Sequence, residues 1–109
     1  MSYVRQGDSP SGSVILTISG KLVRKGNTTS GSALFYIDGD KIRQGESPSG
    51  TVVANVSGKY IRKGSSPSGV LATIDGNKVR KGDSPTGTVI ATTDGGPLAA
   101  AAAAAFLLL

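Results

Sequence analysis

Residues Val14–Gly26 read VILTISGKLVRKG. Two apolar runs, Val14–Ile18 and Leu22–Val23, flank Ser19-Gly20. A Gly-containing pair between alternating apolar runs is the signature of a β-hairpin closed by a two-residue turn. The unit then ends on Arg, Lys and Gly, and it returns along the chain. Its arginines fall at Arg5, Arg24, Arg43, Arg62 and Arg80, at separations of 19, 19, 19 and 18 residues. The short unit lacks one residue after Gly69, where the others carry Ser13, Ser32, Thr51 or Thr88.

Two kinds of connection alternate. Ser19-Gly20, Asp38-Gly39, Ser57-Gly58 and Asp75-Gly76 are expected at the centres of type I′ turns. The longer GDSPSG, GNTTSG, GESPSG, GSSPSG and GDSPTG stretches are surface loops, with Pro at a turn position and Gly on both flanks. A turn centred on Ser19-Gly20 sets Ile18 opposite Lys21, Leu16 opposite Val23 and Ile15 opposite Arg24. One face of each hairpin is then apolar through its middle, with Leu16, Phe35, Ala54, Ala72 and Ala91 against Val23, Ile42, Ile61, Val79 and Val4. That face is the core side, and the face carrying the arginines is the solvent side.

The fifth hairpin is cut in two. Thr88–Thr93 is a first strand followed by Gly96-Pro97, while SYVRQG (residues 2–7) is a second strand with no first. Pairing the two ends, with Ala91 opposite Val4 and Ile90 opposite Arg5, completes the unit and removes the open sheet edges. The expected fold is all-β: a pseudo-five-fold closed ring of five hairpins. A 19-residue period also suits a β-solenoid with one coil per repeat; the tight turns and the split unit favour the ring.

Residues 1–97 form the repeat domain, and residues 98–109 belong to the same domain as an apolar segment, LAAAAAAAFLLL. A ten-strand barrel has a lumen wider than its wall side chains fill, and three alanines widen it further. Alanine is the best helix former, and twelve helical residues rise about 18 Å, close to the ~20 Å of a six-residue strand. The segment is therefore expected to be a helix plugging the centre. It is too short to span the ~30 Å bilayer core. The competing placements are a membrane-surface anchor and an oligomer-forming tail. A surface anchor normally carries Lys or Arg, and this segment has none.

Tandem units ending in DG or SG, a Gly-Pro break and an alanine-then-bulky-apolar end resemble the five-fold β-flower proteins of bacteria. The resemblance covers nearly the whole chain. It implies the ring of hairpins, and it brings no catalytic residues with it.

Composition narrows the chemistry. Histidine and cysteine are both absent, which removes the commonest acid–base catalyst, the commonest metal ligand and all thiol chemistry. No nucleophile has a base beside it, and no metal cluster or phosphate loop is apparent. The expected protein is not an enzyme and uses no cofactor or metal. Twelve Lys+Arg against seven Asp+Glu give a net charge of +5. The candidate anion-binding residues are Arg5, Arg24, Arg43, Arg62 and Arg80, flanked by Lys25, Lys63 and Lys81. They would form a basic belt for a phosphate-bearing ligand or an anionic glycan. The opposing reading is that each arginine stem covers Ile15, Leu34, Val53, Leu71 or Ile90. Sequence-specific nucleic-acid binding is not expected, and membrane contact would run only through the tail.

Other motifs have local explanations. Ser9, Ser47, Ser66 and Ser84 precede prolines as kinase sites do, but Ser-Pro also favours turns. Asn27 and Asn55 open glycosylation triplets that need a secretory route, and Met1 runs into SYVRQG with no signal peptide visible. The expected compartment is cytoplasmic by default. Asp38, Asp75 and Asp94 are turn residues before they are cation ligands. Tyr3, Tyr36 and Tyr60 sit on the solvent side, where three rings are few for stacking on bases or sugars. Two functions follow: a non-enzymatic structural or binding module, or a membrane-associated or oligomerising protein that uses its tail.

Overall fold

The computed structural model describes residues 2–9, 11–65, 69–84 and 86–109. Their strands are β1 (Ser2–Gln6), β2 (Val14–Ser19), β3 (Leu22–Lys25), β4 (Phe35–Asp38) and β5 (Lys41–Gln44), then β6 (Val52–Ser57), β7 (Tyr60–Lys63), β8 (Val70–Asp75), β9 (Lys78–Lys81) and β10 (Val89–Thr93); a helix, α1 (Gly96–Leu108), follows. All ten strands join one closed antiparallel barrel in which sequence neighbours pair and β1 pairs β10. A solenoid is thereby excluded.

The tight turns are centred one residue later than expected. Ser19 pairs Leu22, Asp38 pairs Lys41, Ser57 pairs Tyr60 and Asp75 pairs Lys78. The central pairs are therefore Gly20-Lys21, Gly39-Asp40, Gly58-Lys59 and Gly76-Asn77. Among the described residues only glycines have positive φ; these four lie at 63–65°. A type I′ turn needs positive φ at both central residues, whereas type II′ needs it only at the first, where glycine stands here. The correction runs through each hairpin: Ile18 faces Val23, Ile37 faces Ile42, Val56 faces Ile61 and Ile74 faces Val79. It also reaches the seam, where Val4 faces Thr93 and Gln6 faces Ala91. The shift moves each residue's partner by two, so no side chain changes face.

The inward face is the expected one. Val4, Leu16, Val23, Ile42, Ala54, Ile61, Ala72, Val79 and Ala91 are each 0% exposed. Bulges recur in the strand entering four of the five hairpins; the β3–β4 pair has none. The register slips between Val4/Arg5, Ile42/Arg43, Ile61/Arg62 and Val89/Ala91. The extra residue is Ile15, Val53, Leu71 or Ile90. Such bulges bend and twist a strand, as small closed barrels require.

α1 begins at Gly96, two residues before the expected boundary, with Pro97 in its first turn. A proline there loses no helical hydrogen bond. Gly95 lies so close to the wall that a Cβ would sit 2.7 Å from Ala99 Cβ and 2.8 Å from Ser2 Cβ. Ala99–Ala105 are buried all round, at 0–4% exposure, and α1 packs against β1 and β5–β10. No described helix is long and apolar enough to cross a membrane. The molecule is a disc of 35 × 33 × 19 Å. Thirteen helical residues rise about 20 Å, which matches its thinnest dimension.

Candidate functional site

The five arginines lie on the outward face at equivalent register, opposite Thr92, Thr17, Tyr36, Asn55 and Thr73. All are partly buried, and the long loops after Arg5, Arg24, Arg43 and Arg80 fold back over the arginine that precedes them. Arg5, Arg43 and Arg80 donate from Nη1 to the carbonyls of Gly12, Gly50 and Gly87 at 2.9–3.0 Å, and Arg24 donates from Nε to Gly31 at 2.9 Å. Arg43 and Arg80 also donate from Nε to Asp38 at 2.8 Å and Asp75 at 2.9 Å. The Arg62 guanidinium lies 5.7 Å from the Tyr60 ring centre, with Lys59 Nζ 5.9 Å from it. These arginines thus form a belt around the barrel, and four of them fasten the last glycine of their own loop.

The first glycine of each loop is fastened as well. Gly7, Gly26, Gly45, Gly64 and Gly82 donate N–H to Ile90, Ile15, Leu34, Val53 and Leu71, the bulge residues or the equivalent position, at 2.7–3.0 Å. Four of their carbonyls accept side-chain bonds of 2.6–2.8 Å from Thr92, Thr17, Asn55 and Thr73. Within the loops, the hydroxyls of Ser9, Ser47 and Ser84 accept the backbone N–H two residues on at 3.1 Å, as does Thr28 in the divergent second loop. The Ser-Pro serines are turn formers here; Ser66 lies outside the described residues.

The closing glycines explain themselves sterically. A Cβ on Gly12, Gly50 or Gly87 would collide with the backbone oxygen of Gln6, Gln44 or Lys81. Gly50→Ala is expected to lower stability by about 1–3 kcal/mol through overpacking, read as a lower denaturant midpoint at unchanged m-value.

A shallow cavity of about 230 Å³ marks the seam of the chain ends, lined by Tyr3, Arg5, Asn77, Thr92, Thr93 and Asp94. Arg5, Thr92, Thr93 and Asp94 in its lining are engaged internally. Thr93 Oγ1 donates to the Tyr3 carbonyl at 2.9 Å, and Asp94 Oδ1 accepts the Tyr3 N–H at 3.2 Å. Among the described residues no buried side-chain polar atom lacks a partner, and no three acidic groups gather as a metal site would require.

The barrel has two unlike mouths. The tight turns ring the one where α1 starts. At the other, α1 ends in half-buried Phe106, Leu107 and Leu108 and in Leu109, which is 53% exposed. Grooves of about 340 and 560 Å³ run beside that end, bordered by Leu34, Phe35, Gln44 and Val53 on one side and by Val52, Lys63 and Gly64 on the other. The rim is set by register: Gln6, Lys25, Gln44, Lys63 and Lys81 pair with Ala91, Leu16, Phe35, Ala54 and Ala72. They are the last inward-facing residues of their strands, and all are exposed. Sequence adjacency alone groups Lys25, Lys63 and Lys81 with the arginine belt. Alternation puts them on the opposite face, a signal that was present in the spacing.

A family model described as "6-fold beta flower protein" matches residues 1–104. No curated protein and no solved structure matches. The family type agrees with the resemblance drawn from the repeats, while the number in its name is six rather than five. A repeat contacts only its neighbours, so its pattern does not record how many copies close the ring.

Proposed function

The chain belongs to the 6-fold beta flower family, and we propose that it works as a non-enzymatic structural module. In this reading five hairpins form a pseudo-five-fold ring, the last completed by the N-terminal strand. α1 plugs the lumen. Four of the arginines hold their loops in fixed presentation around the outside, rather than serving first as ligand contacts.

The observation that carries this reading is the repeated bond from arginine to the closing glycine of its loop. A guanidinium fixed on a carbonyl, and in Arg43 and Arg80 on a carboxylate too, has fewer donors and less net charge to offer an anion. Each clamp contributes about 1 kcal/mol, below the ~1.5–3 kcal/mol of hydrogen bonds to buried charged groups because these side chains are partly solvated.

The test replaces all five arginines by Gln. Arg43→Gln alone should lower the melting temperature by about 5 °C, and the fivefold change should lower it much further. Retention on immobilised heparin across salt should fall only as five lost charges require. A fivefold variant that melts with the parent but loses retention outright would restore the arginine belt as an anion site.

A further inference from the structure

We propose that the long-loop mouth of the barrel docks on the surface of an anionic lipid bilayer. Phe106, Leu108 and Leu109 enter the boundary between headgroups and acyl chains, and Lys25, Lys63 and Lys81 meet anionic headgroups. A surface-bound element needs an apolar face bordered by cations. The tail has no cation of its own, and the strands supply them around its end.

The charge around this mouth supports an anionic partner. Of the acidic residues in the long loops, Asp8 pairs with Lys78 at 2.6 Å, and Glu46 accepts the Ala33 N–H at 2.7 Å. Asp83 is the third; with Asp8 paired, Glu46 and Asp83 stand against Lys25, Lys63 and Lys81, and the rim side chains sum to +1. Asp38, Asp40, Asp75 and Asp94 lie at the opposite mouth, at or beside the tight turns and the start of α1, among Lys21, Lys41, Lys59 and Lys78. A second copy of the chain is the poorer occupant, because stacking mouth on mouth sets each lysine ring against its like. The strands have four to six residues, short of the nine to eleven that cross a bilayer, so the contact is with the surface.

Sedimentation of the whole chain with vesicles tests this, using phosphatidylcholine alone and phosphatidylcholine mixed with phosphatidylserine. Binding is expected on the mixed vesicles and should weaken as salt rises. The variant Lys25→Gln/Lys63→Gln/Lys81→Gln should bind about a hundredfold more weakly, at about fivefold per lysine. Leu109→Ser should cost about tenfold. Both variants change exposed positions and should melt with the parent, which separates failure of docking from failure of the fold. No binding to mixed vesicles, or undiminished binding of the lysine variant, overturns the proposal. So does a concentration-dependent dimer in sedimentation equilibrium that Leu109→Ser abolishes, since the occupant is then a second copy.

Discussion

Removing residues 98–109 is expected to leave a chain with no cooperative thermal transition. The wall of the barrel presents Val4, Leu16, Val23, Ile42, Ile61 and Val79 inward, each 0% exposed. They share one core cluster with Ala99–Ala105. Without α1 these six branched side chains line an empty or flooded lumen. Full exposure of such a side chain costs about 1.5–3 kcal/mol. Even half of that, taken over six, reaches about 5–9 kcal/mol, comparable to the whole stability of a domain this size. Calorimetry of the truncated chain should show no unfolding peak, and the protein should aggregate. A truncated chain that melts cooperatively within a few degrees of the parent would show that the ring stands without its helix.

Ala102→Asp should destabilise nearly as severely. Ala102 is 0% exposed in the middle of the alanine run. A carboxylate there would have no partner, and burying one unpaired costs several kcal/mol even after it takes up a proton. Ala102→Leu keeps the chemistry apolar and adds volume, and should cost about 1–3 kcal/mol by overpacking. The order Asp, then Leu, then parent is expected in urea midpoints. A surface helix would give a different order, because there Asp costs only its helix propensity, a fraction of a kcal/mol.

Much of this fold could be read from the repeat. The alternation of Leu16, Ile18 and Val23 against Ile15, Thr17 and Arg24 names the inward face, and it survives the misplaced turn centre because a two-position change of partner preserves parity. The turn type itself was ambiguous. Ser-Gly suits a type I′ centre, and only the observed backbone, with glycine first of the central pair, resolves it. The bulges at Ile15, Val53, Leu71 and Ile90 were hidden because those residues look like ordinary alternating positions. Each bulge carbonyl instead accepts the N–H of a glycine that opens a long loop, a tertiary bond that the alternation does not record.

The arginine spacing announced a repeated role but not which one. For Arg5, Arg24, Arg43 and Arg80 the acceptor is a glycine carbonyl seven residues on, and a backbone carbonyl leaves no mark in a sequence. The same limit applies to the mouth. Lys25, Lys63 and Lys81 are adjacent to arginines in sequence and opposite to them in space. Lys63 borders a groove with Leu108 and Leu109, which come from a helix that reaches this rim only if it runs through the barrel.

Thiol accessibility decides where that helix lies. The chain has no cysteine, so Ala102→Cys and Leu109→Cys each introduce a single reporter, and cysteine behaves as a small apolar residue when buried. Under native conditions the thiol at position 109 should react with a water-soluble reagent at the rate of a free thiol. The thiol at position 102 should react orders of magnitude more slowly, at a rate set by unfolding. Equal reaction rates at the two positions in the folded protein would contradict a helix in the lumen.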